Sequence, residues 1–240
     1  LKVYDVINWT LGSQAFKERQ WETAIKHFED IINSKNNEKS FSKNDREIIY
    51  IKLANCYIGM SKPTQARRYL FEIIAQSPET TPILNNLATT YLLEKNLDSA
   101  FYYVNKSILL NPSDANSYNN RSYIYSKKGE SDLALKDINE AIRLSPDFLL
   151  YYGSKASILI QKGNHEEALD NYMIGITYAK KFGRNNYIIS TYYSQRSKVY
   201  LNLYLLEKQG IRRPNRKNFE LSPLSKAKTE LQEAEKAERQ

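Results

Sequence analysis

The sequence is poor in the residues that build all-β, disulfide-bonded and metal-stabilised domains. It contains one cysteine, Cys56, with only 8 glycines and 7 prolines among 240 residues. A single cysteine excludes an internal disulfide and a zinc site made of several thiolates. The low content of turn-forming residues argues against an all-β sandwich, and no apolar run is long enough for a transmembrane segment. At 41% hydrophobic residues the chain is too apolar for a disordered tail, so we expect a mainly helical protein.

Catalytic motifs are missing as well. The sequence has no dinucleotide-binding glycine fingerprint, no P-loop, no H-E-x-x-H and no nucleophile elbow. We interpret the two histidines, His27 and His165, and the lone Cys56 as packing residues or surface residues. The sequence therefore predicts a protein that is not an enzyme and that holds no cofactor and no metal.

The beginning of the chain carries no targeting signal that we recognise. It starts at Leu1 and lacks a basic and then apolar leader. We interpret it as an excised piece of a longer protein, with a cytoplasmic location as the expectation.

A repeat of 34 residues runs through most of the chain. The segment Leu53-Ala54-x-x-Tyr57 returns as Leu87-Ala88-x-x-Tyr91 and again as Arg121-Ser122-x-x-Tyr125. A small residue recurs twice in each period and a proline closes three of the periods. The small residues are Gly12, Ala54, Ala88, Ser122 and Ala156 in the first half of each period, and Ala24, Ala66, Ala100, Ala134 and Ala168 in the second; the prolines are Pro78, Pro112 and Pro146. Repeats of this length are stacked helix pairs, in which small residues let two helices cross closely.

This pattern resembles the tetratricopeptide repeat (TPR) family. The resemblance implies an all-α fold, a right-handed α-solenoid of about six helix-turn-helix units with a C-terminal capping helix. We place five units at residues 5–38, 47–80, 81–114, 115–148 and 149–182, and a split sixth unit at 186–240 whose basic loop covers 209–221. Eight additional residues, 39–46, are expected to form a loop between the first two units.

In the TPR family the first helices line a concave groove, next to the small positions. The residues of this chain that we predict to line it are Asn55, Asn85, Asn86, Asn119, Asn120, Tyr123 and Lys127. The same Asn-Asn dipeptide occurs at 85–86 and, one period later, at 119–120. An amide can pair with both the N–H and the C=O of a bound peptide, so these positions are similar to the asparagine ladders of the family.

Two other interpretations bear on these residues. The chain is rich in asparagine throughout, so the repeated dipeptide is also explained by composition. The carboxylate clamp of chaperone adaptors requires Lys and Asn in the preceding unit, where this chain has Asn85 and Thr89. It requires Lys and Arg in the following unit, where this chain has Leu150 and Ser154. That mismatch argues against a chaperone adaptor.

Positive charge is concentrated near the C-terminus. Residues 180–228 hold twelve Lys or Arg but only two acids, Glu207 and Glu220. The predicted loop contains Arg212, Arg213, Arg216 and Lys217, and five tyrosines precede it. Those tyrosines are Tyr187, Tyr192, Tyr193, Tyr200 and Tyr204. A basic surface with aromatic side chains binds acidic partners or nucleic acid, whereas a solvated loop that favours solubility explains the same charges.

These features predict a scaffold that binds a peptide or protein segment in an asparagine-lined groove. The alternative is recognition of an acidic or nucleic-acid partner by the basic C-terminal region.

Overall fold

The computed structural model describes residues 3–34, 41–183, 186–209 and 223–239. Within these ranges the structure consists of twelve α-helices and has no strand. The helices are α1 (Val3–Lys17), α2 (Trp21–Ile32), α3 (Lys43–Gly59), α4 (Pro63–Ile74), α5 (Thr81–Leu93), α6 (Leu97–Leu110), α7 (Ala115–Lys127), α8 (Ser131–Leu144), α9 (Leu150–Gln161), α10 (His165–Lys181), α11 (Asn186–Lys208) and α12 (Pro223–Glu238). The predicted all-α class is confirmed. None of the described helices is both long enough and apolar enough to cross a membrane.

The helices belong to two compact units, residues 1–124 and residues 125–240. In the first unit, α1 packs on α2, α3 on α4 and α5 on α6. In the second unit, α9 packs on α10 and α11 on α12. The prediction that all six pairs form one continuous solenoid stays a prediction.

The small residues of the repeat are buried where helices cross. Each of the five second-helix alanines, from Ala24 to Ala168, has no exposed surface. A Cβ atom added to Gly12 would lie 2.9 Å from Cε1 of Phe28, so α1 approaches α2 too closely for any side chain at this position. The predicted reason for the small residues, the close crossing of two helices, is therefore confirmed.

Helix α3 begins earlier than the sequence predicted. The expected loop at 39–46 includes four residues, 43–46, that form the first turn of this helix. Ser42 caps it: the Asp45 N–H donates to Ser42 Oγ at 3.1 Å, and the Ser42 N–H donates to the Asp45 carboxylate at 3.0 Å. This reciprocal capping box satisfies backbone donors that the end of a helix leaves free, which favours starting the helix there.

Tyrosines repeat with the same period and pack in pairs. Tyr57 stacks on Tyr69 with ring centroids 5.7 Å apart, and Tyr91 stacks on Tyr103 at 5.5 Å. Each pair joins the first helix of a unit to its second helix. Much of the tyrosine content of the first unit therefore stabilises the repeat itself.

One tyrosine has a comparable role in the second unit. Tyr192 of α11 lies against Gly153 of α9 and Gly175 of α10, and a Cβ atom at Gly153 would be 2.7 Å from its hydroxyl oxygen. That hydroxyl donates to the Leu149 carbonyl at 2.6 Å. The two glycines make room for the ring, which packs α11 against both helices of the preceding pair.

The last helix pair is held by a buried ion pair. Arg196 of α11 donates from Nε and Nη2 to the two carboxylate oxygens of Glu230 on α12, at 3.0 and 2.9 Å. Its Nη1 donates to the Leu169 carbonyl at 2.6 Å. On α12, Ala227 and Ala234 are buried, whereas Leu231 is 48% exposed.

Candidate functional site

Four of the predicted groove asparagines line one recess of the first unit. The recess has a volume of about 290 Å³ and is formed by α3, α5, the start of α7 and the residue before α7. Its lining residues are Ile51, Asn55, Pro82, Asn85, Asn86, Thr89, Asp114, Asn116 and Asn120. The structure thus brings Asn55, Asn85, Asn86 and Asn120 to the same place.

Asn85 is used by the protein itself. Its side chain is buried, with a relative exposure of 8%, and its Nδ2 donates to Asp114 Oδ2 at 2.8 Å. Its Oδ1 accepts from Asn120 Nδ2 at 3.3 Å and lies 3.2 Å from Ser117 Oγ, whose single hydrogen points to Asp114. The amide of Asn85 therefore links α5 to the start of α7 and is not a free groove amide.

This network fixes which way each amide points. A carboxylate only accepts hydrogen bonds, so the Asn85 atom that faces Asp114 must be its NH₂ group. The Asn85 oxygen must then face Asn120, whose NH₂ group donates to it. Asn120 consequently keeps its own oxygen and one N–H for a ligand.

Two further amides lie at the wall of the recess. Asn55 of α3 and Asn86 of α5 are half-buried and make no hydrogen bond with any residue that the structure describes. Together with Asn120 they supply amide donors and acceptors at the wall of a single recess. These groups can pair with the backbone of a peptide without regard to its side chains.

The other three predicted groove residues lie elsewhere. Asn119 does not line the recess, and its Oδ1 atom is buried without a hydrogen-bond partner. Tyr123 has 48% of its surface exposed, and Lys127 is an exposed residue at the end of α7, in the second unit. The period of 34 residues made Asn85 and Asn119 look equivalent, but only Asn85 has an aspartate and a serine opposite it.

Asp114 was not predicted, although it is the only ionisable residue of the recess. It precedes α7 and caps it: Asp114 Oδ2 accepts from the Ser117 N–H at 2.8 Å and from Ser117 Oγ at 2.5 Å. The pattern Asp-Ala-Asn-Ser at 114–117 is a helix-start signal that could have identified it.

Lys52, which follows the recess residue Ile51, packs against aromatic side chains. Lys52 Nζ lies 4.5 Å from the Phe16 ring centroid and 5.7 Å from that of Trp9. Burial lowers the pKa of its ammonium group. Lys52 does not line the recess, because its side chain extends toward α1 and contacts these two rings.

The predicted basic patch lies outside the described residues, which include none of Arg212, Arg213, Arg216 and Lys217. The tyrosines expected to accompany it are mostly packing residues. Tyr192, Tyr193 and Tyr200 are all at most 7% exposed, so the interpretation of these three as an aromatic binding surface is wrong. Of the five, Tyr187 is exposed, at 65%.

Of the groups considered for catalysis, Cys56 is buried in the core, and His27 and His165 are half-buried. Burial raises the pKa of the Cys56 thiol to about 12, which keeps it protonated near neutral pH. His27 Nδ1 is 2.8 Å from Asn8 Oδ1. Among the described residues, no cluster of His, Cys, Asp and Glu is arranged to hold a metal ion.

Comparison with known families matches residues 115–148 and 150–182 to the tetratricopeptide repeat. These two segments of the chain are tetratricopeptide repeats. The matched ranges agree with the fourth and fifth units predicted from the 34-residue period. In this family the repeats generally mediate interactions between proteins.

Solved TPR structures share the fold. TTC0263, a thermophilic TPR protein of Thermus thermophilus, is 20% identical with a TM-score of 0.63, over 74% of this chain and 92% of its own. MamA from Desulfovibrio magneticus RS-1 is 12% identical with a TM-score of 0.53, over 75% and 98% of the two chains. Another MamA structure is 19% identical with a TM-score of 0.51, over 72% and 96%. A search of curated protein sequences gave no match.

Proposed function

We propose that this TPR protein is a non-enzymatic scaffold that binds an extended segment of another protein in the recess of its first unit. The observation that carries the proposal is the convergence of Asn55, Asn86 and Asn120, whose amides keep free donors and acceptors. Polar groups that are half-buried and unpaired lose hydrogen bonds to water, so a ligand that pairs with them is favoured.

An extended backbone suits these amides. It presents an N–H and a C=O at every residue, and neither depends on the side chain. Ile51 and Pro82 add apolar surface to the same wall, where an aliphatic side chain of the segment can pack. At about 290 Å³ the recess is near the lower limit of ~300 Å³ for small-ligand pockets, so it holds a short stretch of a longer segment.

The test is a selection from a randomised library of peptides, with the full chain as bait and the Asn86→Ala/Asn120→Ala variant in parallel. We expect peptides that bind the wild-type protein and lose at least about tenfold in affinity on the double variant, since two amide pairings are removed. Asn44→Ala is the matched control. Asn44 is an exposed asparagine in the first turn of α3, in the same unit, and it lies outside the recess.

The result has two informative alternatives. Peptides that bind the double variant as well as they bind the wild type would overturn the proposal. Binding that ignores the asparagines but disappears when Arg212, Arg213, Arg216 and Lys217 are changed to Ser would instead support the basic C-terminal region as the binding site.

A further inference from the structure

We infer that the recess selects a segment carrying a positively charged side chain, arginine or lysine, and that the Asp114 carboxylate is the partner of that charge. The inference rests on the proposed function and adds to it the chemical character of the bound segment.

The first support is the charge of the recess. Of its nine lining residues, Asp114 alone is charged, and none is Lys, Arg or His. The recess therefore has a formal charge of −1 although the whole chain carries +8. A carboxylate in a partly enclosed site repels an acidic ligand and attracts a cationic one.

The second support is the state of the two oxygens of Asp114. Oδ2 accepts three hydrogen bonds, from Asn85 Nδ2, the Ser117 N–H and Ser117 Oγ. Oδ1 accepts none from the residues that the structure describes, and Asp114 forms no ion pair with them. The side chain is thus held firmly through one oxygen while the other remains available.

The third support comes from the two cations that adjoin recess residues in the sequence, Lys52 and Arg121. Lys52 has its ammonium group on the rings of Phe16 and Trp9. Arg121, which follows Asn120 directly, donates to Asn105 at 2.9 Å and lies over the Tyr118 ring. A cation that pairs with Asp114 is therefore expected to come from the ligand.

The orientation of Asn120 favours the same class of ligand. Its NH₂ group donates to Asn85, which leaves its oxygen as an acceptor of the recess. A guanidinium or ammonium group carries several donors and no acceptor, so it matches a carboxylate oxygen and an amide oxygen. A glutamate or aspartate side chain would instead place acceptors against acceptors.

The variant that tests this is Asp114→Asn. Asparagine caps helices as well as aspartate does, and its oxygen can accept from Asn85 and Ser117 as Oδ2 does now. The substitution therefore removes the charge while leaving the internal network in place. Its thermal unfolding, compared with wild type, verifies that the fold is kept.

The experiment uses peptides recovered from the randomised library by the full chain. We expect Arg or Lys to be enriched at one position relative to the unselected library. In a synthetic peptide of this set, replacing that arginine by citrulline, its neutral analogue, should weaken binding to the wild type about five- to tenfold. The same replacement should change binding to Asp114→Asn by less than about twofold.

The outcomes separate the two proposals. Peptides that depend on Asn86 and Asn120 but show no enrichment of Arg or Lys overturn this inference and leave the proposed function intact. An equal loss with citrulline on the wild type and on Asp114→Asn also overturns it, because the charge would then act elsewhere. Failure to recover any peptide that depends on the two asparagines overturns both.

Discussion

The ion pair between Arg196 and Glu230 should decide whether α12 stays docked on α11. Arg196→Met removes a guanidinium that makes three hydrogen bonds, two to Glu230 and one to the Leu169 carbonyl. The two charged side chains are only 9% and 12% exposed. Removing one partner of a buried pair costs about 3–5 kcal/mol, since the other charge is left without compensation. Because about a tenth of each side chain still reaches water, we expect the lower value, about 3 kcal/mol.

Hydrogen exchange of backbone amides measures this effect locally. A loss of about 3 kcal/mol lowers the protection of amides in α12 by about 100-fold, whereas α3 and α4 of the first unit serve as an internal reference. Lys198→Met is the matched control, because Lys198 is exposed on the same helix only two residues away. A change in α12 protection no larger than that of the control would refute the reasoning.

A second variant separates the charge from the packing. In Arg196→Met/Glu230→Met no unpaired charge remains, and apolar replacements of buried ion pairs are often nearly neutral. Most of the hydrogen-exchange protection that α12 loses in Arg196→Met should return in this double variant. A residual loss of about 1 kcal/mol is expected, because the hydrogen bond from Arg196 to the Leu169 carbonyl is not replaced.

Further substitutions and one thiol reaction test the core. Gly12→Ala should lower the free energy of unfolding of the first unit by about 1–3 kcal/mol, measured by tryptophan fluorescence in urea, because its Cβ would press on the facing ring of α2. The control Ser13→Ala should leave the free energy of unfolding unchanged, since the Ser13 hydroxyl is buried and has no hydrogen-bond partner among the described residues. An equal loss of stability in Gly12→Ala and Ser13→Ala would contradict the argument. With a pKa of about 12, the Cys56 thiol should react with an aromatic disulfide reagent at pH 8 only when urea opens the unit, and rapid labelling of the native protein would be inconsistent with its burial. Raising the pH from about 9 toward 12 should also lower stability, because Cys56 ionises earlier in the unfolded chain, where its pKa is near 9.0. Tyr192→Phe should cost about 1 kcal/mol by thermal unfolding, because the buried hydrogen bond of its hydroxyl is lost while the Leu149 carbonyl keeps the Tyr152 N–H as a donor; no change would show that this hydrogen bond adds nothing.

The repeat was readable because its packing rule depends on spacing alone. Ala54, Ala88 and their equivalents must be small wherever two helices cross, so the same residue type returns every 34 positions. The prolines that end second helices follow a similarly local rule, since proline cannot continue a helix. The 34-residue period places the start of α3 too late, because the helix begins at the capping box of Ser42, which is a local signal outside the repeating pattern.

The candidate site was predictable only in part. The asparagines that line the recess are predictable from their places on first helices. Periodicity could not separate Asn85, which is hydrogen-bonded to Asp114 and Asn120, from Asn86, which makes no hydrogen bond with a described residue. Asp114 itself was missed because it lies outside the first-helix positions that define the groove.

The sequence by itself determined that this chain is built from helix pairs with a period of 34 residues, because hydrophobic and small residues recur at the spacing that buries one face of each helix. Tertiary structure alone decided which polar groups remain available to bind a ligand. Whether a polar side chain is available depends on what a segment about 30 residues away in the chain places against it: Asp114 against Asn85, and Glu230 against Arg196.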